Sequence, residues 1–240
     1  MVPRIAIVIG LAAFLAGLSV ATFAELKMFL PAILRGAVVT VQISVLSWLV
    51  FMAMSLIAGV ARAKASGAVL WLAVGYIEVF RGTSLLVILF WLFFVMPEFG
   101  LTMSPVLAGV LGIGLNFGAY GAEIARGAIG AVPRGQTEAT IALNISPWNR
   151  MTRIILPQAI AIMIPGMVNL TIELIKATAL VSAVTLVDIT YASVQQNQLH
   201  FRTVEIFAIT LMLYYCFAQF VRFGGDALEE RFSRHLSKRV

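Results

Sequence analysis

The sequence predicts an all-α, polytopic membrane bundle of about six transmembrane helices, and three observations carry that prediction. Hydrophobic residues make up 61% of the 240-residue chain, and its mean hydropathy is +0.98. Charged residues make up only 12%, against about 25% in an ordinary soluble domain, so charge cannot cover a water-facing surface. Six apolar segments approach or exceed the ~20 residues that cross a hydrocarbon core as helix.

The segments follow in order. Residues 5–23 come after Arg4 and are apolar throughout. With small residues near Ala24 they also have the anatomy of a signal peptide, but the run is long for an h-region, which favours an uncleaved helix. Residues 33–60 form the second segment, closed by "ARAKASG" with Arg62 and Lys64. The third, 68–96, ends at "MPEFG". The fourth, 103–124, is glycine-rich, with small residues at four-residue spacing that let helix backbones approach closely within one subunit. After a polar stretch come 159–186 and 204–223, and then a basic tail, "RFSRHLSKRV".

The net charge is +6 and the isoelectric point about 9.9. The basic residues sit mostly between and after the apolar segments, so the positive-inside rule accounts for them better than nucleic-acid binding does. Threading six spans places Arg62, Lys64, Arg126, Arg134, Arg150, Arg153 and the tail on one side, the cytoplasm, with both termini there. Lys27, Arg35 and Arg202 are exceptions near span ends. The lone Cys216 forms no internal disulfide, and His200 and His235, distant from each other and from Cys216, give no metal-site pattern. No phosphate loop, nucleophile elbow or zinc motif occurs, so any ATP must be bound by another chain.

The polar stretch "GQTEATIALNISPWNRMTRIILPQA" reads as two short helices on the cytoplasmic face. Arg134 and Glu138, at i and i+4, can support the first. Ser146 is a natural N-cap with Pro147 at the first helical position. Pro157 predicts a kink or break where the chain enters the next span. Ile141, Leu143, Ile145 and Trp148 have no span to join. They call for a partner surface, or else for the lipid headgroup layer, which Trp148 and the basic residues also suit.

Glu138-Ala139-Thr140 followed by Ile154-Ile155-Leu156-Pro157 resembles the EAA loop of bacterial ABC-importer permeases: Glu-Ala-Ala, three residues, Gly, nine residues, Ile-x-Leu-Pro. Asn144 stands for the family glycine, a substitution that tolerates the left-handed turn, and Thr140 for the second alanine. "VFRGTSLLVILFW", with Ser84 in place of the usual proline, "NFGAYGAEIARGAI" and "LPQAIAIMIPGMVNLTIELIKATALVS" are similar to the polar amino-acid branch (histidine, glutamate, glutamine, arginine, opines). "ALNIS" and "IELIKATALVSAVTLVDIT" further resemble permeases for ectoine and hydroxyectoine.

The resemblance implies a five-helix permease core over residues 33–223, with the loop at 135–157, an N-terminal helix and connector over 1–32, and a basic cytoplasmic tail over 224–240. It implies a multi-pass protein of the bacterial inner membrane that has no catalytic site. Its partners would be two ATPase subunits holding ATP and magnesium, a second permease subunit (identical or paralogous), and a periplasmic or tethered solute-binding protein. Gly135, Glu138, Ala139, Asn144 and Pro157 would serve coupling to the ATPase.

Three acid–base pairs lie at i, i+3 within or at the edge of spans: Glu78/Arg81, Glu123/Arg126 and Glu173/Lys176. An intramembrane charge costs about 2.5–3.5 kcal/mol on insertion scales, so pairing along one helix face is expected. Either the pairs neutralise each other, or some of them border the pathway and meet a zwitterion's amino and carboxylate groups. Asn116, Asn169, Thr171 and Thr178 could add neutral hydrogen bonds. The candidate pathway residues are Glu78, Arg81, Asn116, Glu173 and Lys176. A secondary transporter driven by an ion gradient would also explain these charges, but leaves the EAA-like loop without a role.

Overall fold

The computed structural model describes the backbone of residues 23–237 and the side chains of 27–230. The expected span at 5–23 lies outside the described residues apart from Phe23, and so do the side chains of the tail from 231 onward. All regular structure among the described residues is helical.

Helix α1, Phe23–Lys64, has 42 residues and is therefore about 60 Å long, twice a hydrocarbon core. It runs straight through the position expected for a connector before residue 33. α2 (Gly67–Gly82) and α3 (Leu85–Phe90) meet at a bend of 106°, so the expected straight span at 68–96 is a broken one. The break lies in Thr83 and Ser84, both extended. Their hydroxyls compete for backbone groups and make poor helix interior. α3 continues as a π turn (Trp91–Val95) and a 3₁₀ turn (Met96–Phe99).

α4, Pro105–Ala131, starts at Ser104, whose hydroxyl caps Leu107 N–H, and runs about two turns past the expected end at 124. α5 (Arg134–Ala142) and α6 (Pro147–Arg150) form the connecting segment. A π turn, Met151–Ile155, leads into α7, Leu156–Ala177, which tightens to 3₁₀ over Thr178–Val184. Of the kink or break expected at Pro157, the break is absent and the helix is distorted into this π turn instead. Proline cannot donate to the carbonyl four residues back, and the chain widens instead, with Leu156 N–H reaching the Met151 carbonyl. As a result Pro147–Val184 is one 38-residue helix. α8 (Ile189–His200) and α9 (Thr203–Ser237) are the last described elements, and α9 carries on through the expected tail boundary at 223.

Among the described residues four helices are long and apolar enough to cross a membrane, or five with the bent pair counted as one span. α4 is the central one, with two-thirds of its spanning window buried. The glycines explain this. A Cβ on Gly114 would come within 2.6 Å of Val50, and one on Gly118 within 2.7 Å of Met54 and the Tyr76 hydroxyl. One on Gly121 would strike Ser55 and Phe51. The four-residue spacing thus serves close packing of α1 on α4 within the subunit. Phe51, Ile113, Phe117, Leu174 and Val181 fill the core between α1, α4 and α7, and Phe29, Ile33, Ile189 and Ile206 fill a second one between α1, α8 and α9.

Candidate functional site

The α2–α3 break opens one wall of a cavity of about 340 Å³. Thr83, Ser84 and Leu85 line it from the break, Asn116, Phe117 and Tyr120 from α4, and Leu170 and Glu173 from α7. Thr83 Oγ1 donates back to the Val79 carbonyl at 2.8 Å. Asn116, nearly buried, donates through Nδ2 to the Phe80 carbonyl at 2.6 Å, so α4 holds the last turn of α2 beside the cavity. The amide oxygen of Asn116 is not used in that bond. Tyr120 donates its hydroxyl to the Arg81 carbonyl at 3.3 Å, and its ring lies under the Arg81 guanidinium, 5.4 Å from Cζ to centroid. A carboxylate, an amide and three hydroxyls therefore meet around one space, and the Arg81 guanidinium sits on the Tyr120 ring beside it without lining it. That combination suits a small solute bearing both charges.

The expected charge pairs are redistributed. Glu123 and Arg126 do pair, through Arg126 Nε and Nη2 to Glu123 Oε2 at 3.1 and 3.0 Å. Glu78 does not pair with Arg81. Its Oε1 meets Arg62 Nη1 at 3.3 Å, and Arg62 Nε also reaches Glu123 Oε1 at 3.0 Å. The partner from α1 competes successfully because it can serve two carboxylates at once. Glu173 and Lys176 are both exposed and form no ion pair among the described residues. For such side chains the lost rotamer freedom roughly cancels the Coulomb gain. Lys176 does not line the cavity. Among the neutral candidates, Thr171 accepts from Trp48 Nε1 at 3.2 Å and Thr178 is buried and donates to the Ile175 carbonyl, so neither faces the cavity. Asn169 is exposed and does not line it either.

Thr83, Ser84 and Tyr120 were not among the candidate pathway residues read from the sequence, although Ser84 was noted as standing for the usual proline. The signal for the break was present in Gly82-Thr83-Ser84, three poor helix residues in a row inside an apolar run.

Asp188 was also passed over. It is fully buried between the last two spans and caps α8, accepting from Tyr191 N–H at 2.8 Å and from the Tyr214 hydroxyl at 3.0 Å. Burial pushes its carboxyl above the usual carboxylate range, and these donors pull it partly back. Thr40 Oγ1 accepts from Ile189 N–H nearby, and a Cβ on Gly36 would strike the Asp188 carbonyl. This cluster ties α1, α8 and α9 together and does not line the cavity.

The connecting segment is the second candidate site. Asn144 sits at φ 53°, the left-handed region, and the turn is closed by Leu143 N–H to Ala139 O at 3.0 Å and Ile145 N–H to Thr140 O at 2.9 Å. Ser146 caps α6 through Asn149 N–H at 3.4 Å, with Pro147 next. Arg150 Nη2 donates to the Ile145 carbonyl at 3.4 Å and braces the turn. Arg134 and Glu138 do not pair. Both are exposed, and an i, i+4 contact between such charges returns only a few tenths of a kcal/mol. Gly135, Ala139 and Pro157 are exposed as well. Leu143 and Trp148 are 73% and 75% exposed and Ile141 is 57% exposed, while Ile145 is half-buried. The result is a compact, internally braced hairpin of helices that presents apolar side chains outward.

A family model for a binding-protein-dependent transport system inner membrane component matches residues 52–234. The probable amino-acid ABC transporter permease protein y4tF of Sinorhizobium fredii (strain NBRC 101917 / NGR234) is 42% identical over 206 residues, which cover 83% of this chain and 87% of that protein. The glutamine transport system permease protein GlnP of Escherichia coli (strain K12) is 33% identical over 204 residues, covering 84% and 93%. Among solved structures, a crystal structure of an amino acid ABC transporter with histidines superposes with a TM-score of 0.80 at 29% identity, covering 87% of this chain and 98% of that one.

Proposed function

This chain belongs to the family of binding-protein-dependent transport system inner membrane components, and from that premise we propose that it carries a polar amino acid through the cavity at the α2–α3 break. It is the permease subunit of an amino-acid ABC importer, a transport component without a catalytic site of its own. The observation that carries the solute reading is the cavity itself. Glu173 offers a carboxylate to an amine, and Arg81, held over Tyr120, offers a guanidinium to a carboxylate. A zwitterion, neutral overall, avoids most of the Born cost of entering the bundle. Lys176 leaves this scheme and Tyr120 enters it.

The segment 134–155 couples the passage to ATP hydrolysis. Ile141, Leu143 and Trp148 seat in a groove of an ATPase subunit, which holds the ATP and magnesium. Trp148 belongs to the same continuous helix as Glu173, Pro147–Val184. A displacement of the segment is therefore passed as rigid-body motion to a wall of the cavity. The two ATPases, a second permease subunit and a solute-binding protein complete the importer. Both termini lie on the side of the segment, where Arg62, Lys64, Arg126, Arg134, Arg150 and Arg153 gather. A reporter fused after Gly135 is expected to score as cytoplasmic, and a score on the opposite side would remove the coupling role.

The test is uptake by proteoliposomes holding the complete importer, with L-glutamine, L-histidine, L-arginine, ectoine and maltose offered in turn. ATP-dependent uptake of at least one amino acid is expected. Uptake sustained by an ion gradient after ATP is removed would favour a secondary transporter, and maltose transport with no zwitterion response would sink the solute assignment. Because Glu173 and Lys176 do not pair, Glu173→Gln and Lys176→Met should act independently, the double variant losing the product of the single effects.

A further inference from the structure

We propose that Arg62 is a positioning residue for solute capture. By holding Glu78, it keeps the Arg81 guanidinium free of the carboxylate one turn away and open to an anionic group of the solute. The proposal rests on the cavity reading above.

Glu78 and Arg81 stand at i and i+3 on α2, the spacing at which a helix brings opposite charges together. The structure diverts that pairing. Arg62 takes Glu78 at 3.3 Å and is itself fixed by Glu123 at 3.0 Å. Exposure shows which members are anchored: the Arg62 and Glu123 side chains are 23% and 18% exposed, and Glu78 is 63% exposed. Arg126 closes the set from the other side of Glu123. Two carboxylates and two guanidiniums thus balance one another across α1, α2 and α4.

Arg81 is left out of that balance. Among the described residues no carboxylate lies within 4.0 Å of it, and its contact is the face of Tyr120. Stacking occupies the face of a guanidinium and leaves its edge of N–H donors open for a planar carboxylate. Arg81 does not itself line the cavity, but Tyr120, which does, is tethered to the Arg81 carbonyl and carries the guanidinium on its ring, so Arg81 is linked to the cavity through Tyr120. Remove Arg62, and Glu78, at i, i+3 on the same helix, is free to compete with the solute for Arg81.

The experiment measures calorimetric binding of L-glutamine, L-histidine and L-arginine to the purified permease–ATPase complex without the binding protein. Arg81→Gln should weaken the bound solute about tenfold, the worth of a charge-assisted contact. Arg62→Gln should weaken it about threefold, since an exposed i, i+3 competitor is worth that order. Adding Glu78→Gln to Arg62→Gln should restore wild-type affinity, because the competitor is gone. A merely structural Arg62 gives the opposite result, the double variant being no better than the single. Arg62→Lys, which keeps the charge but not the two-carboxylate fork, supplies the same comparison if the Gln variant fails to assemble. If Arg81→Gln weakens binding and neither Arg62 variant does, the cavity reading stands and this proposal falls. An unchanged Arg81→Gln, or a wild type that binds none of the three, overturns both.

Discussion

The α1–α4 seam and the 134–155 segment are both helix surfaces, yet they dispose of their side chains in opposite ways. At the seam, glycines on α4 remove Cβ atoms where Val50, Met54 and Phe51 of α1 arrive, and the apolar groups that meet there pack within the chain. In the segment, backbone groups are satisfied internally by the Asn144 turn, the Ser146 cap and Arg150, while Ile141, Leu143 and Trp148 find nothing. A seam that is complete by itself holds the subunit together. A segment that is rigid but incomplete fits the docking to an ATPase subunit proposed above.

The strongest way to break that contrast is at the seam. Gly114→Leu places a side chain where Val50 Cβ stands 2.6 Å from the position of a Cβ. Overpacking a tight core costs about 1–3 kcal/mol or more, and here backbone lies close as well, with Ser47 O at 3.0 Å. Expression of folded protein, followed by size-exclusion in detergent, should collapse. A monodisperse variant with a wild-type melting temperature would show that the seam is looser than the structure has it.

Trp148→Ala should do the reverse. The melting temperature should hold, because Trp148 is 75% exposed, while co-purification with the ATPase falls steeply. Truncating a central aromatic anchor costs about 2–4 kcal/mol at an interface. Wild-type assembly would instead place Trp148 in the headgroup layer.

The smallest effect sharpens the comparison. Asn144→Gly relieves a left-handed backbone at φ 53° that asparagine already tolerates. A stability change within about 0.5 kcal/mol is expected, with ATPase assembly and uptake unchanged. A large loss would mean that the Asn144 side chain itself touches the partner.

Composition and apolar run length determined the class, the spans at 33–60, 103–124, 159–186 and 204–223, and the protruding segment, because those depend on local hydropathy and on turn chemistry carried by Asn144, Ser146 and Pro147. Charge partners were a different matter. Spacing along one helix matched Glu78 with Arg81 and Glu173 with Lys176, and the fold gave Glu78 to Arg62, sixteen residues away on another helix, and left Glu173 to the cavity. The outcome at Pro157 was likewise settled by the surroundings, which keep one helix running through a π turn where the residue alone leaves a kink or a break open. A sequence lists which charges exist and which neighbours share a helix face. Only helices packed against each other decide which carboxylate a guanidinium reaches first, since that competition is won by distance and burial across elements.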